Sequence, residues 1–392
     1  MNVLHILTTL DIGGAEMHVL AQVRGQVERG HSVRVAYLKG EGRLREDFLA
    51  AGAQSVHDIG LGLFSLPRLW PGLRWADIVH THLLKADLFG ALAATLAGRR
   101  ANLIASKHND EHVLRKALVS RVHGIVGRLP RCTIVLSDHV GRFIAEYGRV
   151  PLARQRRIYY GLDPRPFEQA ARMSTAQRAE VRAEFRWQPG DIVFICVARF
   201  AAQKAHDVLL RGFAEALRAR KPADPQLRLL LIGDDPFGDG RLRAQALAVE
   251  LALGANVHFA GLRRDVARCV GACDVFVMTS LWEGLGLVFL EAMAASLPVL
   301  ATRVSAVPEV VLDAETGILI PPSASAPLAE AMLRLARDAG LRERLGVQGH
   351  RRVVKFFALP RMIDETLEVY ALHARRMPLE RDRIKEVSRP GR

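Results

Sequence analysis

Two tandem, doubly wound α/β domains of Rossmann-like type are the fold class this sequence predicts. Three observations predict it. Short β-branched runs alternate with longer helical stretches along the chain. The runs are mostly apolar throughout rather than at every second position. The alternation breaks near residue 160, at two prolines and a glycine, and then restarts. Strand–helix alternation builds right-handed βαβ units. Strands apolar on both faces belong to a parallel sheet covered by helices on both sides. A chain of 392 residues has room for two such domains.

In the first half the expected strands are "NVLHIL", "SVRVAYL", "ADIVHTH", "ANLIASKH" and "CTIVLS". Helical stretches such as "GAEMHVLAQVRGQVERG" and "KADLFGALAATLAG" follow them. The segment "IYYGLDPRPFEQA" at 158–170 reads as an interdomain linker. Beyond it, "DIVFICVARF", "LRLLLIG", "ANVHFAG", "CDVFVMTS", "LPVLATR" and "GILIPP" read as strands. The expected boundaries are 1–165 and 166–359 for the two domains, then a helix at 360–375 and a polar, fraying tail at 376–392. In such sheets ligands bind beyond the carboxyl ends of strands, at helix N-termini.

Composition narrows the function. The net charge is +14, with +9 in residues 1–165 and +5 in residues 166–392. That balance favours a polyanionic partner: nucleic acid, anionic lipid or a phosphorylated substrate. An Arg-rich composition also arises without any such partner. Aromatic residues make up only 6% and no binding motif appears, so nucleic acid is not expected. Four cysteines, two of them the isolated pair Cys269 and Cys273, do not make a four-ligand zinc site; buried thiols in a reducing compartment fit better. The N-terminal "MNVLHILTTL" reads as a first strand rather than a signal peptide. No apolar run reaches the ~18–20 residues of a spanning helix.

The loops after strands hold the candidate residues. Gly13 and Gly14 open the first helix, where paired glycines let a phosphate or sugar approach the backbone. Their spacing is not that of a dinucleotide fingerprint. His108 follows the strand at 101–107 and is site-facing, with a surface role as the alternative; His80 and His82 read as strand-end residues. Arg199 and Lys204 flank a surface turn at a helix start and make a diphosphate clamp. In "SLWEGLGLVFLEAMA", Gly284 and Gly286 frame a turn with no side-chain cap before the next helix. Its N–H groups are open to a phosphate. Glu283 lies before that helix and Glu291 farther inside it. A carboxylate suits a cis-diol because it offers two acceptors, so one acid serves a donor sugar and the other a ribose.

Together these residues resemble the retaining glycosyltransferases of family 4, which have the GT-B fold: two Rossmann-like domains facing each other across a cleft. The likeness runs from "GGAE" to the closing helix and is strongest at the E-x7-E segment, Glu283 to Glu291. It implies that Glu283 contacts the donor sugar and Glu291 the nucleotide ribose. It implies diphosphate contacts for Arg199 and Lys204, a histidine beside the donor sugar at His108, and a glycine turn facing the diphosphate at Gly13 and Gly14. By the same resemblance Leu262 and Arg263 line the nucleobase, and Gly284, Leu285, Gly286 and Leu287 complete the donor site. Ala198, Ala205 and Tyr160 depart from residues common in the family; none removes a charged donor-site group.

The resemblance further implies transfer from a UDP- or GDP-sugar to a hydroxyl acceptor, by front-face attack and without a metal or other cofactor. Sugars or lipid-linked sugars are the implied acceptors, in cell-surface polysaccharide, lipopolysaccharide or glycolipid synthesis. The expected location is the cytoplasm. Peripheral attachment to an anionic membrane face rests on the basic "EHVLRKALVSRVHGIVGRL", for which packing against the sheet is the stronger expectation. The rivals are a nucleotide-sugar 2-epimerase of the same fold, a nucleic-acid binder and a silent sugar-nucleotide binder.

Overall fold

A computed structural model describes residues 1–62, 65–235 and 238–374. The chain forms two compact units, each with its own parallel sheet. The first comprises Met1–Val135, Gly141–Ile158 and the chain from Ile363; the second comprises Leu136–Val140 and Tyr159–Met362. The expected tail at 376–392 lies outside the described residues.

The first unit contains β1 (Asn2–Leu7), β2 (Ser32–Tyr37), β3 (Ser55–Asp58), β4 (Ile78–His82), β5 (Leu103–Lys107), β6 (Cys132–Val135) and β7 (Gln155–Arg157), in the order β3-β2-β1-β4-β5-β6-β7. The second contains β8 (Ile192–Val197), β9 (Leu227–Ile232), β10 (Val257–Gly261), β11 (Val275–Met278), β12 (Val299–Thr302) and β13 (Gly317–Ile320), in the order β10-β9-β8-β11-β12-β13. Strand order reverses between β1 and β4 and between β8 and β11. These are the switch points where a doubly wound sheet leaves room for a ligand. β4, β6, β11 and β12 are buried at every position, as both-faced burial requires.

Two edge strands, β3 and β7, escaped the sequence reading. They have four and three residues and are largely exposed, with "SVHD" and "QRR" giving no apolar run. The expected linker is also shorter than read. Arg165–Ala171 is a helix with Phe167 and Ala170 buried, and Gly271 lets it approach: a Cβ there would stand 2.5 Å from the Ala170 carbonyl oxygen. Proline in the first turn starts this helix rather than breaking the chain.

The first helix, Gly14–Glu28, turns a polar face inward: Glu16, His18, Gln22 and Gln26 are buried. Part of the reason is the closing helix, Leu359–His373. Gln22 Nε2 donates to Thr366 Oγ1 at 3.3 Å, Gln26 Nε2 to Tyr370 Oη at 3.3 Å, and Arg29 pairs with Asp364 at 2.8 Å. Ile363 packs so closely that a Cβ on Gly25 would meet its Cδ1 at 1.9 Å.

The basic segment at 111–129 differs most from expectation. A 3-10 turn at His112–Arg115 precedes the Ala117–Val126 helix, with extended backbone at Lys116 between them. Leu114 is buried, but Leu118 and Ile125 are each 74% exposed and Val122 47%. The helix instead buries Ser120, His123 and Gly124. Its apolar stripe therefore does not pack against the sheet.

Candidate active site

In the second unit the site grows from the ends of β8 and β11. The chain leaves β8 through Arg199, makes a 3-10 turn at Ala202–Lys204, and enters the His206–Ala219 helix through Ala205. Ala205 holds φ 46° and ψ 51°, a left-handed conformation that costs a non-glycine residue about 1–2 kcal/mol. Bonds from the loop after β11 hold it there. Thr279 Oγ1 donates to the Ala205 carbonyl at 2.9 Å, Leu281 N to the Gln203 carbonyl at 2.8 Å, and Gln203 Nε2 to the Trp282 carbonyl at 2.7 Å.

This stitching brings Lys204 and Glu283 together. Lys204 Nζ donates to Glu283 Oε1, and Ser280 Oγ donates to the same oxygen at 2.7 Å. The side chains of the pair are only 13% and 6% exposed. Lys204 is thus not a surface-loop cation, as its place in a turn had suggested. Both contacts fall on Oε1, which leaves Oε2 with capacity for a substrate hydroxyl. Arg199 is exposed, and its guanidinium has no acidic partner among the described residues.

Gly286 caps the Leu287–Ala294 helix with φ 84° and ψ 83°, and no side chain caps that end. Only glycine fits comfortably here: the φ is left-handed, and a Cβ would stand 2.5 Å from the Phe289 ring. Gly284 and Leu285 are buried, whereas Leu287 is half-exposed. Glu291 follows in the second turn. Burial pushes its carboxyl up to about 7, and among the described residues no group bonds to it. A carboxyl held neutral by burial and bonded to no side chain is a candidate for binding a ligand's hydroxyls.

Leu262 and Arg263 follow β10. Leu262 is 48% exposed. The Arg263 guanidinium is committed to Asp265, at 2.7 and 2.6 Å, and to Glu184 at 3.3 Å, with its face over Phe185. Its side chain therefore serves this ion-pair network.

In the first unit the candidates stand beside the β1/β4 switch point. Gly13 is extended, with φ −159°, and caps the first helix. A Cβ on Gly14 would meet nothing within 4 Å, so the fold itself does not require glycine there. Gly14→Ala should leave the melting temperature unchanged within about 2 °C, since surface changes are worth under ~0.5 kcal/mol. If the position exists for a ligand's approach, turnover should nonetheless fall on the order of tenfold. Unchanged kinetics would return this glycine to the helix start alone.

His108 follows β5 and is buried, not on the surface. His82 Nδ1 bonds its Nε2 at 3.0 Å, and His82 Nε2 bonds His5 Nδ1 at 2.9 Å. His80 lies between Tyr370 Oη at 2.6 Å and Ser106 Oγ at 2.7 Å. Candidate ligand nitrogens of His5, His80 and His82 come within 4.8 Å of one another. Each ring nitrogen of these three is already hydrogen-bonded, so a metal ion would have to break bonds that satisfy buried groups. The sequence reading missed His5, Ser280 and Gln26. His5 did carry a signal, as a polar residue interrupting an apolar strand.

Comparison with known proteins closes the identification. The "Glycosyltransferase Family 4" family matches residues 12–165, and "Glycosyl transferases group 1" matches residues 177–352. The chain is 30% identical over 313 residues to a D-inositol 3-phosphate glycosyltransferase of Saccharomonospora viridis, covering 75% of this chain and 69% of that protein. The chain belongs to glycosyltransferase family 4. This glycosyltransferase is also 31% identical over 179 residues to the lipopolysaccharide core biosynthesis glycosyltransferase LpsE of Rhizobium meliloti, covering 46% and 49% of the two chains. In fold it is similar to Anabaena Alr3699/HepE, solved in complex with UDP and glucose. The TM-score is 0.83 at 19% identity, over 94% of this glycosyltransferase and 99% of that chain.

Proposed function

We propose that this glycosyltransferase moves a hexose, with retention, from a UDP- or GDP-sugar to a hydroxyl of a sugar or lipid-linked sugar acceptor. The Lys204–Glu283–Ser280 cluster beside the Gly286 cap carries the reading. Arg199, Lys204 and the N–H groups at the Leu287–Ala294 helix start would hold the diphosphate and offset charge as the glycosidic bond breaks. Glu283 Oε2 would take a hydroxyl of the donor sugar, and Glu291 the ribose diol. Leu262 and the backbone at Arg263 would line the base. Gly284, Leu285 and Leu287 would shape the turn. In the first unit, Gly13, Gly14 and His108 would contact substrate. With these cations in place the chemistry needs no metal, and excess EDTA should leave turnover unchanged.

A thermal-shift panel of UDP- and GDP-sugars tests the donor, with UDP-glucose first because HepE was solved in complex with it. A ligand at 100 times its Kd adds roughly 2.7 kcal/mol to the folded state. A flat panel would remove the donor assignment.

Membrane-surface work on a lipid-linked acceptor is the second part of the reading, in envelope polysaccharide, lipopolysaccharide or glycolipid synthesis at the inner face of the membrane. No helix among the described residues is long and apolar enough to cross a membrane. Support comes from the exposed stripe Leu118, Val122 and Ile125 beside exposed Arg115, Lys116, Arg121 and Arg128. Vesicles with anionic lipid should bind the protein in a salt-reversible way, at about 1 kcal/mol per engaged cation. Leu118→Ser with Ile125→Ser should weaken that binding at any salt. Equal binding to neutral vesicles would discard the electrostatic part.

A further inference from the structure

A cavity of about 630 Å³ opens on the second unit, between one face of the Ala339–Phe356 helix and the turn at 312–316 that leads into β13. Four of its lining side chains are cationic, Arg344, Arg351, Arg352 and Lys355, and one, Glu315, is acidic. Residues three, four or seven apart on a helix share a face, so Arg344, Arg351 and Lys355 form one stripe. The buried side of the same helix is made by Leu345, Gly349 and Val353, which turns the stripe toward the cavity.

These charges are not neutralised. Arg344, Arg351 and Lys355 are exposed, and none has an acidic partner among the described residues. Other arginines of this unit do meet acids: Arg182 pairs with Asp274 and Arg337 with Asp224, each at 2.7 Å. Arg352 is half-buried and held in place. Its Nε donates to the Val310 carbonyl at 2.9 Å and its Nη2 to the Glu309 carbonyl at 2.7 Å. The guanidinium lies over the rings of Phe356 and Phe357, at 5.1 and 5.7 Å, and Lys355 Nζ stands 5.1 Å over Phe356. Carbonyls and rings orient these cations without cancelling them. Burial works against the Arg352 charge, and an anion in the cavity would offset that cost.

A concave wall of one sign concentrates the field and draws in counter-ions. A guanidinium offers paired N–H donors that match a phosphate. From Arg344 to Lys355 the helix rises about 16 Å, more than a single phosphate spans. We propose that this cavity binds a soluble small molecule carrying at least two phosphate groups, held by Arg344, Arg351, Arg352 and Lys355. Glu315 opposes the ligand and limits its affinity.

The test is isothermal titration calorimetry with sodium triphosphate, with UDP in excess to occupy the donor site. One triphosphate should bind per chain, and orthophosphate should bind at least about tenfold more weakly, since it engages fewer of the cations. Arg344→Ser with Arg351→Ser should weaken triphosphate binding on the order of tenfold or more. Both side chains are exposed, so the melting temperature should not change. Arg211→Ser with Arg218→Ser is the control: it removes the same charge from exposed positions of this unit that do not line the cavity. It should leave the affinity within about twofold, because exposed charges more than a Debye length away are screened. Glu315→Gln should strengthen binding about two- to threefold by removing the opposing carboxylate. Arg199→Ser, which alters only the donor loops, should not change it. Binding that survives the Arg344/Arg351 variant, or falls equally in the control, overturns the site. Binding lost in Arg199→Ser belongs to the donor loops and overturns it as well. Vesicles of phosphatidate and phosphatidylcholine separate a lipid headgroup from a free phosphate. Vesicle binding that needs Arg344 and Arg351, in a protein that does not bind triphosphate, overturns the soluble ligand.

Discussion

Lys204→Met should destabilise the second unit by about 2–4 kcal/mol and lower turnover on the order of 10²–10³-fold. The stability loss has one cause. Glu283 is buried and takes two donors on one oxygen. Without Lys204 its charge stays buried with only the Ser280 hydroxyl. Removing one partner of a buried pair costs about 3–5 kcal/mol, and the slight exposure of Lys204 argues for somewhat less. The loss should therefore be reversed by a second change. Lys204→Met with Glu283→Gln leaves no buried charge and should regain most of the stability in urea titration, while turnover stays low. If the single and double variants unfold at the same urea concentration, the pair does not carry this energy. Wild-type turnover in a folded Lys204→Met protein would end its assignment to the diphosphate.

The second large effect concerns pH. Burial holds the Glu291 carboxyl at about 7, above its ordinary 4.5. For the free protein the sign follows from linkage: the folded state binds the proton more tightly, so this group adds stability at low pH that is lost as pH rises from about 4.5 through 7. Substrate reverses the preference. Two ribose hydroxyls donate to a carboxylate, so proton and nucleotide compete. Affinity for a nucleotide sugar, measured by calorimetry, should fall on the order of tenfold from pH 8 to pH 6. A nucleotide sugar is the right probe because its diphosphate diester does not titrate in that range. Glu291→Gln should bind weakly at both values, with the pH dependence gone. Glu283→Gln should keep the pH dependence and mainly lower kcat, because its contacts lie beside the bond that breaks. A flat affinity across this range in the wild type would remove Glu291 from the ribose.

Most of the fold was legible because both sheets are buried on both faces. Eleven apolar runs gave eleven strands with ends displaced by at most three residues. The two that gave no signal, β3 and β7, are edge strands, where neither burial nor length imposes a pattern. The turn at Gly286 was legible too, since a left-handed cap leaves a glycine and no capping side chain. What could not be read was pairing between distant positions. Lys204 reads as a clamp cation on a surface turn because nothing local shows Glu283 folding onto it from 79 residues away. The inward polar face of the first helix is explained in part by Thr366 and Tyr370, more than 340 residues on. The helix at Ala117–Val126 misled for the opposite reason. An apolar stripe normally predicts its buried side, and here Ser120, His123 and Gly124 take that side instead.

The closing helix has a consequence during synthesis. The first unit needs residues beyond Ile363 to cover Gln22, Gln26 and His80, yet its other strands have left the ribosome by Arg157. At 5–20 residues per second, about 10–40 s pass before the missing piece emerges. Until then Gln22, Gln26 and His80 lack their partners on the closing helix, whereas the second unit, contiguous in sequence but for 136–140, is complete by Met362. Chains ending at Met362 should therefore show a protease-resistant C-terminal unit attached to a labile N-terminal one, and chains extending past residue 374 should show both protected.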